Sequence, residues 1–262
     1  MLTKVLLYLR FLSCGTSKYN IHSPFVHSFI ENVLDDRHLY YNFLPIEQLR
    51  KWLLAQDKQL FLNDFGAGSK YSSSKLTTIS QLAKNVQSSK HKGQLLFKIV
   101  NYFQPKKILE FGTSLGLSSA YLASSNKSSK VYTIEGDKNI VTLAKNNFVK
   151  LRIKNIDIIE KNFDDAIEIL SNKSFELVFF DGNHRKEPTL KYFEWAKKKI
   201  TQNSIFIFDD IYWSKEMKDA WDIIRQDSKV SLSIDIFSIG IVFFIDKNQK
   251  EHFQLIHKSN FY

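Results

Sequence analysis

Three carboxylates and one imidazole make up the first chemical signal in this chain. Asp181 closes the apolar run Phe175–Phe180, Asp209 and Asp210 close Ile205–Phe208, and His184 follows in Asp-Gly-Asn-His. Acids brought to neighbouring strand ends repel and raise one another's pKa values, and a bound hard cation is the simplest relief. An all-oxygen donor set favours Mg²⁺ or another divalent cation that keeps several waters. Histidine titrates near neutrality and can take the proton of a hydroxyl. A loop histidine bonding locally to Asp181 or Glu187 is the plainer alternative.

A second group lies upstream in Lys107–Ser119, Lys-Ile-Leu-Glu-Phe-Gly-Thr-Ser-Leu-Gly-Leu-Ser-Ser. An apolar run stops at Glu110 and turns through Gly112 and Gly116, and hydroxyls at Ser118 and Ser119 open a helical pattern. A strand that turns through glycines into a helix leaves bare backbone and unpaired N–H groups facing a nucleotide-sized crevice. Glu135 ends the next apolar run, where a carboxylate can accept both hydroxyls of a ribose. Ser118 also reads as a plain N-cap, and Asp164, after the third run, as a cap for the helix it begins. Tyr212 and Trp213 read as walls of a pocket or as buried core.

Positioning these residues requires regular βα alternation. Strands are expected at Ile108–Glu110, Val131–Glu135, Ile156–Ile159, Phe175–Asp181 and Ile205–Asp209. Helices are expected at Ser118–Ser124, Lys138–Val149, Asp164–Leu170, Pro188–Ile200 and Lys215–Arg225. The runs Leu232–Phe237 and Ile241–Ile245 are joined by Ser238-Ile239-Gly240 alone, which forces an antiparallel hairpin. The whole predicts a doubly wound α/β fold with a mostly parallel seven-stranded sheet and a helical N-terminal extension. Residues 1–88 form the expected cap or lid region and residues 89–262 the ligand-binding domain. Within the cap, Ser23-Pro24 starts a helix with Phe25, Val26, Phe29, Ile30, Val33 and Leu34 as its buried stripe. Pro45 starts another, carrying Leu49, Trp52 and Leu53. Asp64–Lys70 imitates a phosphate loop without its Gly-Lys-Ser/Thr ending, and reads as a turn or a lid segment.

Five pieces in order carry a resemblance: Lys92-Gly93-Gln94, Glu110-x-Gly112-x-x-x-Gly116-x-Ser118, Thr133-Ile134-Glu135, Phe179-Phe180-Asp181 and Phe208-Asp209-Asp210. Over about residues 91–246 the chain resembles class I S-adenosylmethionine-dependent methyltransferases, in the branch of catechol and caffeoyl-coenzyme A O-methyltransferases. The resemblance implies an S-adenosylmethionine site at Glu110, Gly112, Thr113, Gly116, Ser118, Glu135, Asp164 and Asp181, with Asp164 holding the adenine amino group. It implies a metal at Asp181, Asp209 and Asp210, and catalysis by Asp181 and His184. The catechol-type enzymes have a lysine where this chain has His184, which is a departure. The expected reaction is methylation of a small hydroxylated molecule.

Composition narrows the alternatives. The net charge of +10 invites nucleic acid, but only six of the 37 basic residues are arginine, so a lysine-rich solvated surface accounts for it. Asp181-Gly-Asn-His replaces the Asn/Asp-Pro-Pro-aromatic run of base-amino methyltransferases, and Cys14 is misplaced for ring-carbon chemistry. RNA ribose or protein methylation stays open, as does a non-catalytic S-adenosylmethionine-binding protein. The single cysteine excludes a disulfide framework and fits a cytoplasmic setting. Leu2, Val5, Leu6, Leu9 and Leu12 recur at helical spacing, as a helix packed on the protein or touching a membrane surface through residues 1–14. No run is long enough to span a bilayer. A homodimer is admitted.

Overall fold

A computed structural model of the chain describes residues 2–63, 74–86, 89–246 and 249–257. The Asp64–Lys70 stretch lies outside these residues. The backbone divides into two compact units, residues 37–173 and residues 1–36 with 174–262.

The first unit opens with helix α3 (Phe43–Leu54), whose Ile46, Leu49 and Leu53 face inward as the apolar spacing requires. An antiparallel pair follows, β1 (Gln59–Asn63) and β2 (Ser74–Thr78), then α4 (Ile79–Val86) and α5 (Lys90–Phe103). No strand was expected here from the sequence. Strands β3 (Lys107–Phe111), β4 (Lys130–Glu135) and β5 (Ile156–Glu160) then alternate with helices α6 (Leu117–Ser125), α7 (Lys138–Lys150) and α8 (Phe163–Ile169). All three strands run parallel in chain order, with Glu110 opposite Thr133 and Glu135 opposite Glu160. Caps mark the helix starts. Ser89 accepts from Lys92 N at 3.2 Å, and Asp137 accepts from Asn139 N and Ile140 N at 2.7 and 3.0 Å. Gly93 is required by packing, because a Cβ there would meet the Tyr121 ring at 2.4 Å.

The second unit holds α1 (Leu2–Cys14), α2 (Pro24–Phe29) with a π-helical turn at Ile30–Leu34, and five strands. These are β6 (Phe175–Phe180), β7 (Ile200–Asp209), β8 (Leu232–Asp235), β9 (Ile239–Phe243) and β10 (Glu251–Gln254), ordered β10-β8-β9-β7-β6. Helices α9 (Lys186–Lys197) and α10 (Lys215–Gln226) follow β6 and β7. β6 and β7 are parallel, and β9 pairs antiparallel with both β7 and β8.

The mostly parallel α/β plan, the terminal hairpin and the helical N-terminal region agree with the sequence. Three details differ. Counting both units, the strands β3 to β10 number eight where seven were expected, because Glu251–Gln254 pairs parallel with β8. Four residues with one large apolar side chain show no readable alternation, so backbone pairing alone reveals this strand. The hairpin turn is Ile236–Ser238, and Gly240 lies inside β9. Its hydrogen is needed there because a Cβ would meet Trp221 at 2.6 Å. Finally, α1 turns its aromatic residues inward. Phe11 is buried, with its ring centre 5.4 Å from Phe237 and 6.0 Å from Tyr212, whereas Leu6 and Leu9 are exposed. Of the leucine stripe, Leu6 and Leu9 are exposed and Leu12 is half-buried, so the packed face is the one that carries Phe11. The α2 stripe is as read except at Phe25, which is half-buried, with Val26, Phe29, Ile30, Val33 and Leu34 buried. Among the described residues no helix is long and apolar enough to cross a membrane.

Candidate active site

The turn after β3 is built from positive φ angles. Gly112 and Gly116 sit at φ 101° and 78°, and Ser114 between them at 47°. Gly116 is also the N-cap of α6, and a Cβ on it would meet the Phe148 ring at 2.6 Å. Glycine is demanded there twice, by backbone and by space. Three amides staple the turn to the end of β4. Gly112 N and Thr113 N donate to Ile134 O at 3.2 and 3.1 Å, and Ser114 N donates to Glu135 Oε2 at 3.0 Å. The other oxygen of Glu135 accepts from Asp137 N at 3.1 Å. Burial raises the pKa of Glu135 against the pull of these backbone donors.

Beneath the turn lies a second carboxylate. Glu110 is wholly buried, and its Oε2 accepts from Ser119 Oγ and, at 2.6 Å, from Thr133 Oγ1. Thr133 Oγ1 is 2.7 Å from Thr113 Oγ1. Burial pushes Glu110 up to about 7, against the hydroxyls of Ser118, Ser119 and Thr133. Gly112, Ser114 and Glu135 are only half-buried, whereas Glu110, Thr113, Ser118, Ser119 and Thr133 are buried. Asp164 is exposed in the first turn of α8. The cap of that helix is Asn162, which accepts from Asp165 N at 2.9 Å, so the capping alternative for Asp164 does not hold.

In the other unit, His184 Nε2 lies 3.9 Å from Asp181 Oδ1, beyond Asn183 at φ 54°. Asp209 is buried at the end of β7 and accepts from Asp210 N at 2.9 Å. Asp210 has φ 52°, and its N–H also bonds Ser238 O at 2.8 Å. Tyr212 is buried and donates to Asp235 Oδ2 at 2.9 Å, while Trp213 is exposed. Tyr212 is therefore held in the core by a buried acid.

A family profile described as a methyltransferase domain matches residues 109–211. The chain is 24% identical over 125 residues to a catechol O-methyltransferase of Mycobacterium tuberculosis, covering 47% of this chain and 56% of that protein. It is 26% identical over 136 residues to a catechol O-methyltransferase of Niastella koreensis, covering 48% and 58%. The chain thus spans under three-fifths of the curated relatives it matches. An O-methyltransferase structure from Bacillus cereus, in complex with S-adenosylhomocysteine, superposes with TM-score 0.58 at 18% identity, covering 84% of this chain and 97% of that one. A Podospora anserina methyltransferase bound to S-adenosylhomocysteine gives 0.60 at 13% identity, covering 86% and 97%. At such identities the structures establish the shared fold. The chain has the methyltransferase fold and, over about half its length, is similar to catechol O-methyltransferases.

The donor-side residues of the sequence reading fall around one strand-turn-helix and the end of β4, with Glu110 beneath the turn and Asp164 at the start of α8 after β5. Asp181, His184, Asp209 and Asp210 fall at the ends of β6 and β7. The acids offer the oxygen donors a hard cation takes, but among the described residues no three His, Cys, Asp or Glu side chains are arranged to hold a metal ion. A cation there would have to draw the acids together. The sequence reading missed Thr133 and Ser119 as partners of Glu110. The signal was present, since Ile108, Leu109 and Phe111 around Glu110 mark a strand buried on both faces, where an acid needs polar neighbours. It also missed Asp235, whose Oδ2 accepts from Tyr212 and Trp221 and whose Oδ1 accepts from Phe237 N. Burial raises Asp235 to about 6 despite these donors.

Proposed function

We propose that the chain is an S-adenosylmethionine-dependent O-methyltransferase of a small hydroxylated molecule. One observation carries the reading. Glu135 ends β4 with one backbone N–H on each oxygen, beside a glycine turn whose Gly112 and Ser114 are only half-buried. A carboxylate steadied this way keeps lone pairs for two vicinal ribose hydroxyls. The turn at Gly112 and Gly116 admits the methionine portion, and Ser118 with the first turn of α6 serves its carboxylate end. Asp164 takes the adenine amino group. The bound donor supplies an electrophilic methyl group on its sulfonium.

The remaining chemistry is alignment and proton removal. His184 accepts the proton of the acceptor hydroxyl at Nε2, and Asp181 at 3.9 Å favours the imidazolium that results. Asp209 and Asp210 orient the hydroxyl groups of the acceptor. Their oxygen donors, with those of Asp181, would suit Mg²⁺ or another divalent cation, which is the finer part of this proposal. Residues 1–88 are the proposed source of acceptor choice. The test is calorimetric titration with S-adenosylhomocysteine, followed by turnover of S-adenosylmethionine with catechol and other hydroxylated probes, in chelator and in added Mg²⁺. Absence of binding ends the reading. Equal turnover in both conditions removes the metal. Binding without turnover of any probe favours a non-catalytic binding protein.

A further inference from the structure

The net charge of +10 is not spread over the chain. Residues 37–173 carry 21 lysines and arginines against 11 acids, and the remaining residues carry 16 against 16. Within the first unit the two signs separate again along the strands. Where β3, β4 and β5 end, the chain places Glu110, Glu135, Asp137, Glu160, Asp164 and Asp165. Where they begin, the segments 104–107, 126–130 and 152–157 hold Lys106, Lys107, Lys127, Lys130, Arg152 and Lys154 against a single acid, Asp157.

These three segments are bound into one edge. Lys107 lies opposite Lys130 in the register, and Lys130 N donates to Lys106 O at 2.7 Å. Ser129 Oγ donates to Pro105 O at 2.5 Å, and Asn155 Nδ2 donates to Asn126 O and Ser129 O at 3.3 and 2.9 Å. Neighbouring strands stand about 5 Å apart, so the three strand starts fall within about 10 Å, close to one screening length at physiological salt. Their charges therefore act as one field. Lys106, Lys107, Lys127, Arg152 and Lys154 are exposed, while Lys130 is paired with Asp157 at 2.7 Å. Arg152 departs from a local rule to stand there. It takes φ 56° just past the end of α7, with its N–H on Val149 O and that of Ile153 on Phe148 O, a bonding pattern that usually has glycine at this position. The ends of α5, α6 and α7 lie at the same edge, and each amounts to about half a negative charge. Those ends and Asp157 together offset fewer than half of the six cations.

We propose that this lysine edge is a docking surface for an anionic lipid bilayer. A lysine ammonium is a compact charge on a flexible stem that meets headgroup phosphates in any orientation, whereas nucleic acid favours the planar fork of arginine, present here once. A cluster of this size is enough to draw a protein to an anionic leaflet. The glycine turn at Gly112 and Gly116 follows the far end of β3, about 15 Å along the strand, so the contact does not compete with the proposed donor site.

The experiment is sedimentation of the full chain with vesicles of phosphatidylcholine, alone or mixed equally with phosphatidylglycerol, at low and high salt. Wild type is expected to bind the anionic vesicles at least about ten-fold more tightly than the neutral ones, and to lose that preference in high salt. The combined variant Lys106→Gln, Lys107→Gln, Lys127→Gln and Lys154→Gln should bind them roughly ten-fold more weakly. A control that removes the same charge from other exposed lysines, Lys51→Gln, Lys84→Gln, Lys138→Gln and Lys161→Gln, should stay within about two-fold of wild type. Thermal unfolding of each variant is recorded in parallel, and Lys107→Glu alone, which should weaken binding about three-fold, replaces the combined edge variant if that one loses its fold. Equal binding to both kinds of vesicle, or to neither, overturns the proposal. So does an equal loss in the two combined variants, which would mean diffuse charge. A single-stranded RNA that binds more tightly than the anionic vesicles, and weakens in the edge variant, would assign the edge to nucleic acid and also overturn it.

Discussion

The turn after β3 and the loops after β6 and β7 both present carboxylates, and they are fixed by different means. Around the turn, the amides of Gly112, Thr113 and Ser114 are all engaged, and both oxygens of Glu135 carry a backbone donor. The acid-bearing loops share the turn's left-handed backbone but reach it without glycine. Asn183 and Asp210 take left-handed φ values of 54° and 52°, and Phe237, in the hairpin turn beside Asp210, takes 67°. Such residues cost free energy and gather at functional sites when neighbouring structure enforces them. Here the enforcement comes from Ser238 O on Asp210 N and from Asp235, which binds both Phe237 N and the Tyr212 hydroxyl. The difference is one of restraint: every amide of the turn from 112 to 114 is engaged, whereas the acid-bearing loops hold left-handed residues through a few bonds.

This comparison is broken most directly by separating binding from turnover. Asp181→Ala and Asp210→Ala are expected to reduce methyl transfer by roughly a hundred-fold or more, the range for loss of acid–base chemistry. Calorimetry should find their S-adenosylhomocysteine affinity within about two-fold of wild type. Equal losses in binding and turnover would erase the distinction between the two regions.

A smaller effect concerns the buried carboxylate. Unfolded, Glu110 ionises near 4.5, and folded, near 7. Between these values the native state binds the extra proton, so stability falls as pH rises through the window and the loss is complete above 7. Its full size is about 3 kcal/mol. Urea unfolding at pH 5 and pH 8 should show this slope in wild type and not in Glu110→Gln.

Next comes the turn itself. Gly116→Val places a branched side chain at φ 78° against the Phe148 ring, and should lower stability by about 2 kcal/mol while abolishing measurable cofactor binding. The smallest change expected is Asp137→Ala. It removes the capping side chain of α7, and denaturant titration should record a loss of about 1 kcal/mol. Cofactor affinity should change little, because alanine keeps the amide that bonds Glu135.

Much of this was legible in the amino-acid order. Gly112 and Gly116 announced positive φ, the alternation of short apolar runs and helical patterns announced the parallel strands, and the short link after Phe237 announced the hairpin. What stayed hidden has physical causes. Glu251–Gln254 is a strand only because β8 offers it an edge, and backbone pairing leaves no mark on so short a sequence. The inward face of α1 was misread because leucine and tyrosine both suit a buried stripe, and only the rings of Phe237 and Tyr212 decide between them.

The same division holds at the site. By itself the sequence determined the kind of group present at each strand end: a carboxylate at 110, 135, 181, 209 and 210, and an imidazole at 184. Which carboxylates stay partly open and which are enclosed was decided only by the tertiary structure. Glu110 and Glu135 are the same residue type near the ends of adjacent strands, Glu110 opposite Thr133 and Glu135 two residues further along. Solvent and backbone amides reach Glu135, hydroxyls and apolar side chains enclose Glu110, and the cost of burying charge weighs on each differently.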